Sequence, residues 1–224
     1  MKQRIEEIKG RIKQAAERAA CGEVALIAVS KTKPVESIRE AMAAGLTDFG
    51  ENYAAEAAEK YDVLRDTPFR LHFIGHLQTN KAKLVVPRAA LIQSVDSLRI
   101  AREIDRLAGA CGRECPVLLE VNISGEESKS GFGPEEVTDR AEMIAEAFPH
   151  IKVQGLMGMA PFFEDAEKTR PYFARLKKIY DRLPGAFRKY LSMGMSGDYI
   201  QAIEEGSNMV RIGTAIFGER APRR

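Results

Sequence analysis

The chain opens with apolar residues at helical spacing. Six of them share one face of a predicted helix: Ile5, Ile8, Ile12, Ala15, Ala16 and Ala19. Steps of three and four residues are typical of an amphipathic helix. We expect this helix to end at Gly22, because glycine readily adopts the left-handed conformation that often closes a helix.

A strand–helix pattern follows and repeats along the chain. The apolar run at residues 24–29 predicts a fully buried strand, and residues 36–44 predict the next helix, closed by Gly45. Other helical patterns lie at 97–110 and 164–183. Seven further strand candidates are 47–50, 71–75, 91–95, 116–123, 152–157, 190–193 and 209–212.

Eight buried strands that alternate with helices indicate a parallel sheet covered on its faces. Eight such units in 224 residues fit a (β/α)8 TIM barrel, whose usual size is about 200 to 250 residues, with an extra N-terminal helix. An open doubly wound sheet is the alternative, but no GxGxxG motif follows the first strand. No linker-like segment divides the chain, so we expect a single domain over residues 1–224.

Composition and charge exclude several classes of protein. Lysine plus arginine number 34 against 32 aspartates and glutamates, which argues against nucleic acid as a partner. No apolar run reaches the ~20 residues of a membrane span, and the amino terminus has no signal-peptide core. We therefore expect a cytoplasmic protein without membrane contact. Neither the C-x3-C pair Cys111 and Cys115 nor His72 and His76 has further ligands at suitable spacing, so no metal is expected.

The first strand ends at Lys31, and in such a barrel the functional side chains lie where strands end. A lysine that leaves a buried strand has apolar surroundings that lower its pKa, as an amine that condenses with an aldehyde requires. A solvated loop lysine is the plainer alternative.

The last two predicted strands end in small and hydroxyl residues. Ser192, Met195 and Ser196 follow the seventh strand, while Gly213 and Thr214 follow the eighth. Such residues beside a helix amino terminus are typical of a phosphate site, and barrels often place one after strands 7 and 8. Ordinary turn and capping chemistry explains each residue equally well when taken alone.

The combination of these features favours one cofactor. Strands 1 and 8 are neighbours in a closed barrel, so Lys31, Arg211 and the phosphate cradle can face one pocket. An amine, a phosphate cradle and a partner for a ring nitrogen are what pyridoxal 5'-phosphate (PLP) needs.

Seven motifs in order along the chain resemble those of the pyridoxal phosphate homeostasis proteins, whose fold is like the barrel domain of alanine racemase. They are AVSKTKP (28–34), FGENY (49–53), HFIGHLQTNK (72–81), VNISGEESKSG (121–131), GLMGMAP (155–161), SMGMSGD (192–198) and VRIGTAIFG (210–218). The resemblance spans nearly the whole chain.

The resemblance implies a role for each candidate residue. Lys31 is the Schiff-base lysine, with Lys33 as the lesser candidate because both were expected to share a strand face, and Arg211 meets the pyridine nitrogen. Asn52 is a polar wall of the pocket, or the N-cap of a helix at 53–64, or both. The residues placed around the phosphate are Ser192, Ser196, Gly213, Thr214 and the backbone of Met195.

The implied function is to bind, store and hand on PLP in intracellular PLP homeostasis, with no catalytic residues. A permanent cation at Arg211 disfavours a proton on the ring nitrogen and so weakens the cofactor as an electron sink. Racemases with the same arginine add a second domain and a tyrosine base, for which six residues after Gly218 leave no room. The alternative is a small racemase or lyase with Tyr53 or His76 as proton relay.

Three further expectations complete the sequence hypothesis. The protein is a monomer, because a racemase-type second domain is missing, and its recipients are PLP-dependent apoenzymes. Lys129, in the loop after the fifth strand, is a candidate second amine during cofactor release, with a solvated loop lysine as the alternative. A protein-interaction module without a ligand is disfavoured, because it would not need the lysine and the phosphate cradle together.

Overall fold

The computed structural model describes residues 1–126 and 130–219. Eight parallel strands form a closed barrel in which each strand pairs with the next and the last pairs with the first. The strands are β1 Ala25–Val29, β2 Asp48–Glu51, β3 Arg70–Phe73, β4 Leu91–Val95, β5 Cys115–Val121, β6 Ile151–Gly158, β7 Tyr190–Ser192 and β8 Met209–Ile212. The predicted (β/α)8 barrel is confirmed.

Helices follow the strands and cover the outside of the barrel. They are α1 Lys2–Arg18, α2 Val35–Ala43, α3 Ala54–Leu64, α4 Ala82–Val85, α5 Leu98–Ala110, α6 Val137–Ala147, α7 Arg170–Tyr180, α8 Tyr199–Glu204 and α9 Thr214–Phe217. Short 3-10 turns add Thr79–Lys81, Ala166–Thr169 and Gly185–Phe187. In the described part of the chain, no helix is long and apolar enough to cross a membrane.

The first helix ends before the predicted glycine. Helix α1 ends at Arg18, and the chain turns at Ala20, whose φ is 48°. The Cys21 N–H bonds to the Ala16 oxygen and closes this turn. Gly22 is therefore not the helix cap, and a left-handed alanine takes that place.

The structure differs from two other predictions, the length of the helix at 164–183 and the complete burial of the first strand. The helix predicted at 164–183 is a 3-10 turn followed by α7, which ends at Tyr180. Pro171 lies in the first turn of α7, where its missing N–H costs nothing. The first strand is only partly buried, because Ala25 and Leu26 lie at the open amino-terminal end of the barrel.

The described residues form two apolar cores. The larger one lies between the sheet and the helices and includes the buried face of α1, from Ile5 to Ala16. The smaller core lies inside the barrel. Its buried members are Ile27, Leu91, Leu118, Met157 and Met209. The inner core fills part of the barrel interior and leaves the rest for polar side chains.

Candidate functional site

Strand periodicity places polar side chains directly above the inner core. Residues two apart on a strand face the same side, so Gln93 follows Leu91 and Arg211 follows Met209 toward the carboxyl ends of β4 and β8. Arg211 is 4% exposed and Gln93 is fully buried. Polar side chains therefore lie at the end of the interior where barrel enzymes carry their sites.

The guanidinium of Arg211 is held by two neighbouring strands. It donates to Ser192 Oγ at 2.6 Å and to the backbone oxygen of Gly158 at 3.2 Å. Complete burial lowers the pKa of Arg211 to about 10, while the charges of Glu120 and Asp198 act in the opposite direction. Arg211 therefore keeps its positive charge at neutral pH in a fixed orientation.

A hydrogen-bonded chain runs from Arg211 down through the barrel interior. Ser192 Oγ donates to Gln93 Oε1 at 2.7 Å, and Gln93 Nε2 lies 3.1 Å from His72 Nδ1. His72 Nε2 lies 2.8 Å from Asp48 Oδ1 at the start of β2. We call these five residues, Arg211, Ser192, Gln93, His72 and Asp48, the interior chain.

Both ring nitrogens of His72 have a partner in the interior chain. The Gln93 amide nitrogen lies against Nδ1 and the Asp48 carboxylate lies against Nε2, so the ring is held in one orientation. Burial raises the pKa of Asp48, but hydrogen bonds from His72 and Thr47 and the nearby charge of Arg70 outweigh it, so the pKa is lowered. An ionised Asp48 thus anchors the lower end of the chain.

Glu120 is a polar residue of the barrel interior that the sequence analysis did not single out. It lies near the carboxyl end of β5 and is 7% exposed. Burial raises its pKa to about 7, the charge of Asp96 adds to this, and Arg211 opposes it. The rule applied to Lys31, a charged residue near the end of an apolar strand, also points to Glu120.

The loops after β7 and β8 meet around Ser196. Its Oγ accepts hydrogen bonds from the backbone N–H groups of Gly213 at 3.2 Å and Ala215 at 3.4 Å. A Cβ on Gly213 would lie 3.3 Å from the Cβ and the oxygen of Val29. Glycine thus lets the end of β8 approach the end of β1, where Lys31 follows.

Other residues predicted for the phosphate site are placed differently. Ser192 accepts a hydrogen bond from Arg211 in the interior chain and takes no part in the hydrogen bonds of Ser196. The N–H of Met195 donates to Asp198 Oδ1 at 2.6 Å. Thr214 is exposed as the first residue of α9. The structure therefore brings Ser196 and Gly213 together, and leaves Thr214 at the surface beside them.

Lys31 and Lys33 do not share a strand face, contrary to the expectation. Strand β1 ends at Val29, and both lysines lie in the turn that follows. The Lys33 ammonium donates to the backbone oxygens of Phe217, Gly218 and Glu219, at 3.2, 3.2 and 2.9 Å. Lys33 thus caps the end of α9, whereas Lys31 is the lysine nearer the strand end.

Asn52 follows β2 and is not a helix cap. Helix α3 begins at Ala54 after Tyr53, with no side-chain cap. Among the described residues, the buried Asn52 Oδ1 has no hydrogen-bond partner. A Cβ on Gly75 would lie 2.2 Å from the Asn52 backbone oxygen, so only glycine permits this approach. Asn52 therefore offers an unpaired acceptor at the carboxyl end of the barrel.

The two residues considered as proton relays lie at the surface of this end. Tyr53 is 45% exposed. His76 Nδ1 lies 2.9 Å from Asp96 Oδ2, and its side chain is 59% exposed. In residues 1–126 and 130–219, no three His, Cys, Asp or Glu side chains are grouped as metal ligands. Lys129 lies outside the described residues.

The fold and the site define a parallel-barrel protein of the alanine racemase type. Residues 4–221 match the family described as alanine racemase, N-terminal domain. The chain is 44% identical over 223 residues to the pyridoxal phosphate homeostasis protein of Aquifex aeolicus, with 97% of each chain covered. The chain belongs to the pyridoxal phosphate homeostasis protein family.

Solved structures agree with this assignment. PipY of Synechococcus elongatus, solved without PLP, superposes with a TM-score of 0.85 at 34% identity, covering 97% of this chain and all of PipY. PipY with PLP bound gives a TM-score of 0.79 at 36% identity, covering 91% and 100%. An alanine racemase of Clostridium difficile shares the fold, with a TM-score of 0.67 at 16% identity, and the chain covers 58% of it.

Proposed function

We propose that this chain binds PLP, stores it and hands it on in intracellular PLP homeostasis, with Lys31 as the attaching lysine. The relatives at 41–44% identity carry the name pyridoxal phosphate homeostasis protein, and PipY has been solved with PLP bound. The single observation that carries the proposal is that the candidate lysine and the candidate arginine lie on neighbouring strand ends at one end of the barrel. The ends of β1 and β8 touch there, with Lys31 following one and Arg211 on the other.

The residues present fit PLP. A phosphate needs N–H and O–H donors. The Ser196 hydroxyl would supply one, and the N–H groups of Gly213 and Ala215, which now donate to Ser196 Oγ, would supply two more where a phosphate oxygen takes the place of that hydroxyl. Asn52 Oδ1, without a partner among the described residues, provides an acceptor for a polar substituent. The Arg211 guanidinium provides a planar cation for a ring nitrogen.

The chain's own residues favour holding PLP over using it in a reaction. Bound PLP supplies an aldehyde that condenses with amines and a ring that accepts electrons. Lys31 supplies the amine, and Arg211 supplies a fixed positive charge that disfavours a proton at the ring nitrogen it meets. We infer a carrier without turnover that acts as a monomer and delivers PLP to apoenzymes.

Absorbance spectroscopy of the purified protein tests the proposal. Adding PLP is expected to produce the absorbance band of a lysine-attached cofactor, and Lys31→Ala is expected to abolish it. Lys33→Ala is the matched control and is expected to keep the band, because its ammonium is already used on the end of α9.

Two results would contradict the proposal. A parent protein without the band lacks the attachment, and a band that survives Lys31→Ala assigns it to another amine. Amino acids added to the loaded protein distinguish the alternative, a small racemase or lyase, which would form product steadily.

A further inference from the structure

Lys60 is a buried lysine on α3, next to the turn that carries Lys31. Its side chain is 6% exposed. Its ammonium donates to the backbone oxygen of Ser30 at 2.7 Å, to Glu51 Oε1 at 2.7 Å and to Glu56 Oε1 at 2.6 Å. An ammonium has three N–H donors, so these acceptors use all of them. Lys60, Ser30, Glu51 and Glu56 form what we call the Lys60 cluster.

The Lys60 cluster binds backbone atoms on both sides of Lys31. The Ser30 oxygen, on the preceding residue, accepts the bond from Lys60. The N–H of Thr32, on the following residue, donates to Glu56 Oε1 at 2.6 Å. Since one carboxylate oxygen serves both Lys60 and Thr32, the two restraints are joined through Glu56.

The backbone at Thr32 needs such a restraint. Its φ is 64°, a left-handed conformation that is strained for a residue other than glycine. Strained backbone persists when the surrounding contacts hold it. The bond to Glu56 holds it here, and the N–H of Lys33 closes the same turn on the Ser30 oxygen at 3.0 Å.

The Lys60 ammonium is the cation that balances the carboxyl groups of the cluster. Glu51 is fully buried, and its Oε1 accepts from both Lys60 and the Ser30 hydroxyl, the latter at 2.6 Å. Burial raises the pKa of Glu51, while the charge and hydrogen bond of Lys60 lower it. Removing Lys60 would leave a buried carboxyl without its counter-ion and release the Ser30 oxygen.

We propose that Lys60 is a positioning residue for Lys31: the Lys60 cluster fixes the backbone before and after Lys31 and so determines where its amine emerges. The inference rests on the proposed function, in which Lys31 attaches PLP. Loss of Lys60 should therefore impair attachment at Lys31 and leave the phosphate contacts around Ser196 intact.

Two probes separate these effects. PLP carries an aldehyde that reacts with an amine, whereas pyridoxine 5'-phosphate carries an alcohol that does not. Lys60→Met is expected to slow the appearance of the attached-PLP band roughly tenfold or more and to move the midpoint of its pH titration. Its affinity for pyridoxine 5'-phosphate is expected to stay within about twofold of the parent.

Matched variants and a cofactor-free measurement complete the test. Lys60→Arg keeps the charge and is expected to recover part of the attachment rate. Lys177→Met breaks a lysine–carboxylate pair on α7, with Asp181 at 2.6 Å, and is expected to change neither probe. In protein without PLP, the amide of Thr32 is expected to exchange hydrogen faster in Lys60→Met than in the parent.

Each outcome decides the inference. Attachment and Thr32 exchange equal to the parent overturn it, as does a parallel loss of pyridoxine 5'-phosphate binding. If Lys60→Met does not fold, Glu56→Ala removes the Thr32 bond from a partly exposed residue and must then show the same two effects. A parent that attaches no PLP defeats the proposed function instead, and Thr32 exchange still tests the backbone restraint.

Discussion

The two residues that define the candidate site, Lys31 and Arg211, are supported in opposite ways. The Lys60 cluster lies between β2, α3 and the turn after β1, and it uses formal charges. The interior chain supports Arg211 through hydrogen bonds passed along a hydroxyl, an amide and an imidazole before it reaches Asp48. The lysine side is therefore held by ion pairs and the arginine side by relayed hydrogen bonds.

This difference has an energetic consequence. Removing one partner of a buried ion pair leaves an uncompensated charge, which costs more than one unpaired neutral group. The support of Arg211 also spans five strands of the closed barrel, β2, β3, β4, β6 and β7. We therefore expect the lysine side to be more sensitive to single substitutions.

The largest effect is expected at Lys60. Lys60→Met should lower the free energy of unfolding by about 3–5 kcal/mol, because Glu51 is left buried without its cation. The double variant Lys60→Met/Glu51→Gln should recover part of this loss, since the amide keeps an acceptor for Ser30 and carries no charge. Chemical denaturation of both variants measures the difference. A double variant less stable than Lys60→Met would contradict an ionic basis for the lysine side.

A pH-dependent effect is expected at Glu120, beside Arg211. Because its pKa is raised from 4.5 to about 7, the folded state binds this proton more tightly than the unfolded chain. The contribution is fully present below pH 4.5 and is lost as the pH rises through about 7. Between these values, the parent should lose on the order of 3 kcal/mol relative to Glu120→Gln.

Denaturation curves of the parent and Glu120→Gln across that pH range provide the measurement. A stability difference that does not change with pH would show that Glu120 titrates at its ordinary pKa.

The smallest effect is expected at Gln93. Gln93→Leu leaves the Ser192 hydroxyl and His72 Nδ1 each short of one neutral partner, at a cost of about 1–3 kcal/mol. Attachment of PLP at Lys31 should be much less affected than in Lys60→Met. Thermal unfolding and the attachment rate measure the two quantities, and a larger attachment defect in Gln93→Leu would reverse the comparison.

Much of the fold was predictable from local patterns. The bounds of β4 and β8 agree with the predicted ranges 91–95 and 209–212. The predicted end of the first helix was wrong, because a left-handed alanine, Ala20, closes the turn after α1 in place of the expected glycine. Propensity gives no signal for such a residue, because alanine rarely adopts that conformation.

The candidate site was predictable in part. Lys31 and Arg211 follow from the rule that functional residues lie at strand ends, and the same rule would have found Glu120. The structure corrected the placing of Lys33 on a strand face and of Asn52 as a cap. Gln93 and Ser192 lie 99 residues apart in the chain but hydrogen-bond at 2.7 Å, and no local pattern joins them.

The sequence by itself determined the repeated strand–helix units and the motifs that resemble a PLP-binding family. These depend on side-chain periodicity, which each segment carries alone. Only the tertiary structure decided the interior chain and the Lys60 cluster. Closing the barrel removes polar side chains from water, so each needs a partner from another strand or helix. Which partners meet depends on register and closure, which are properties of the assembled sheet.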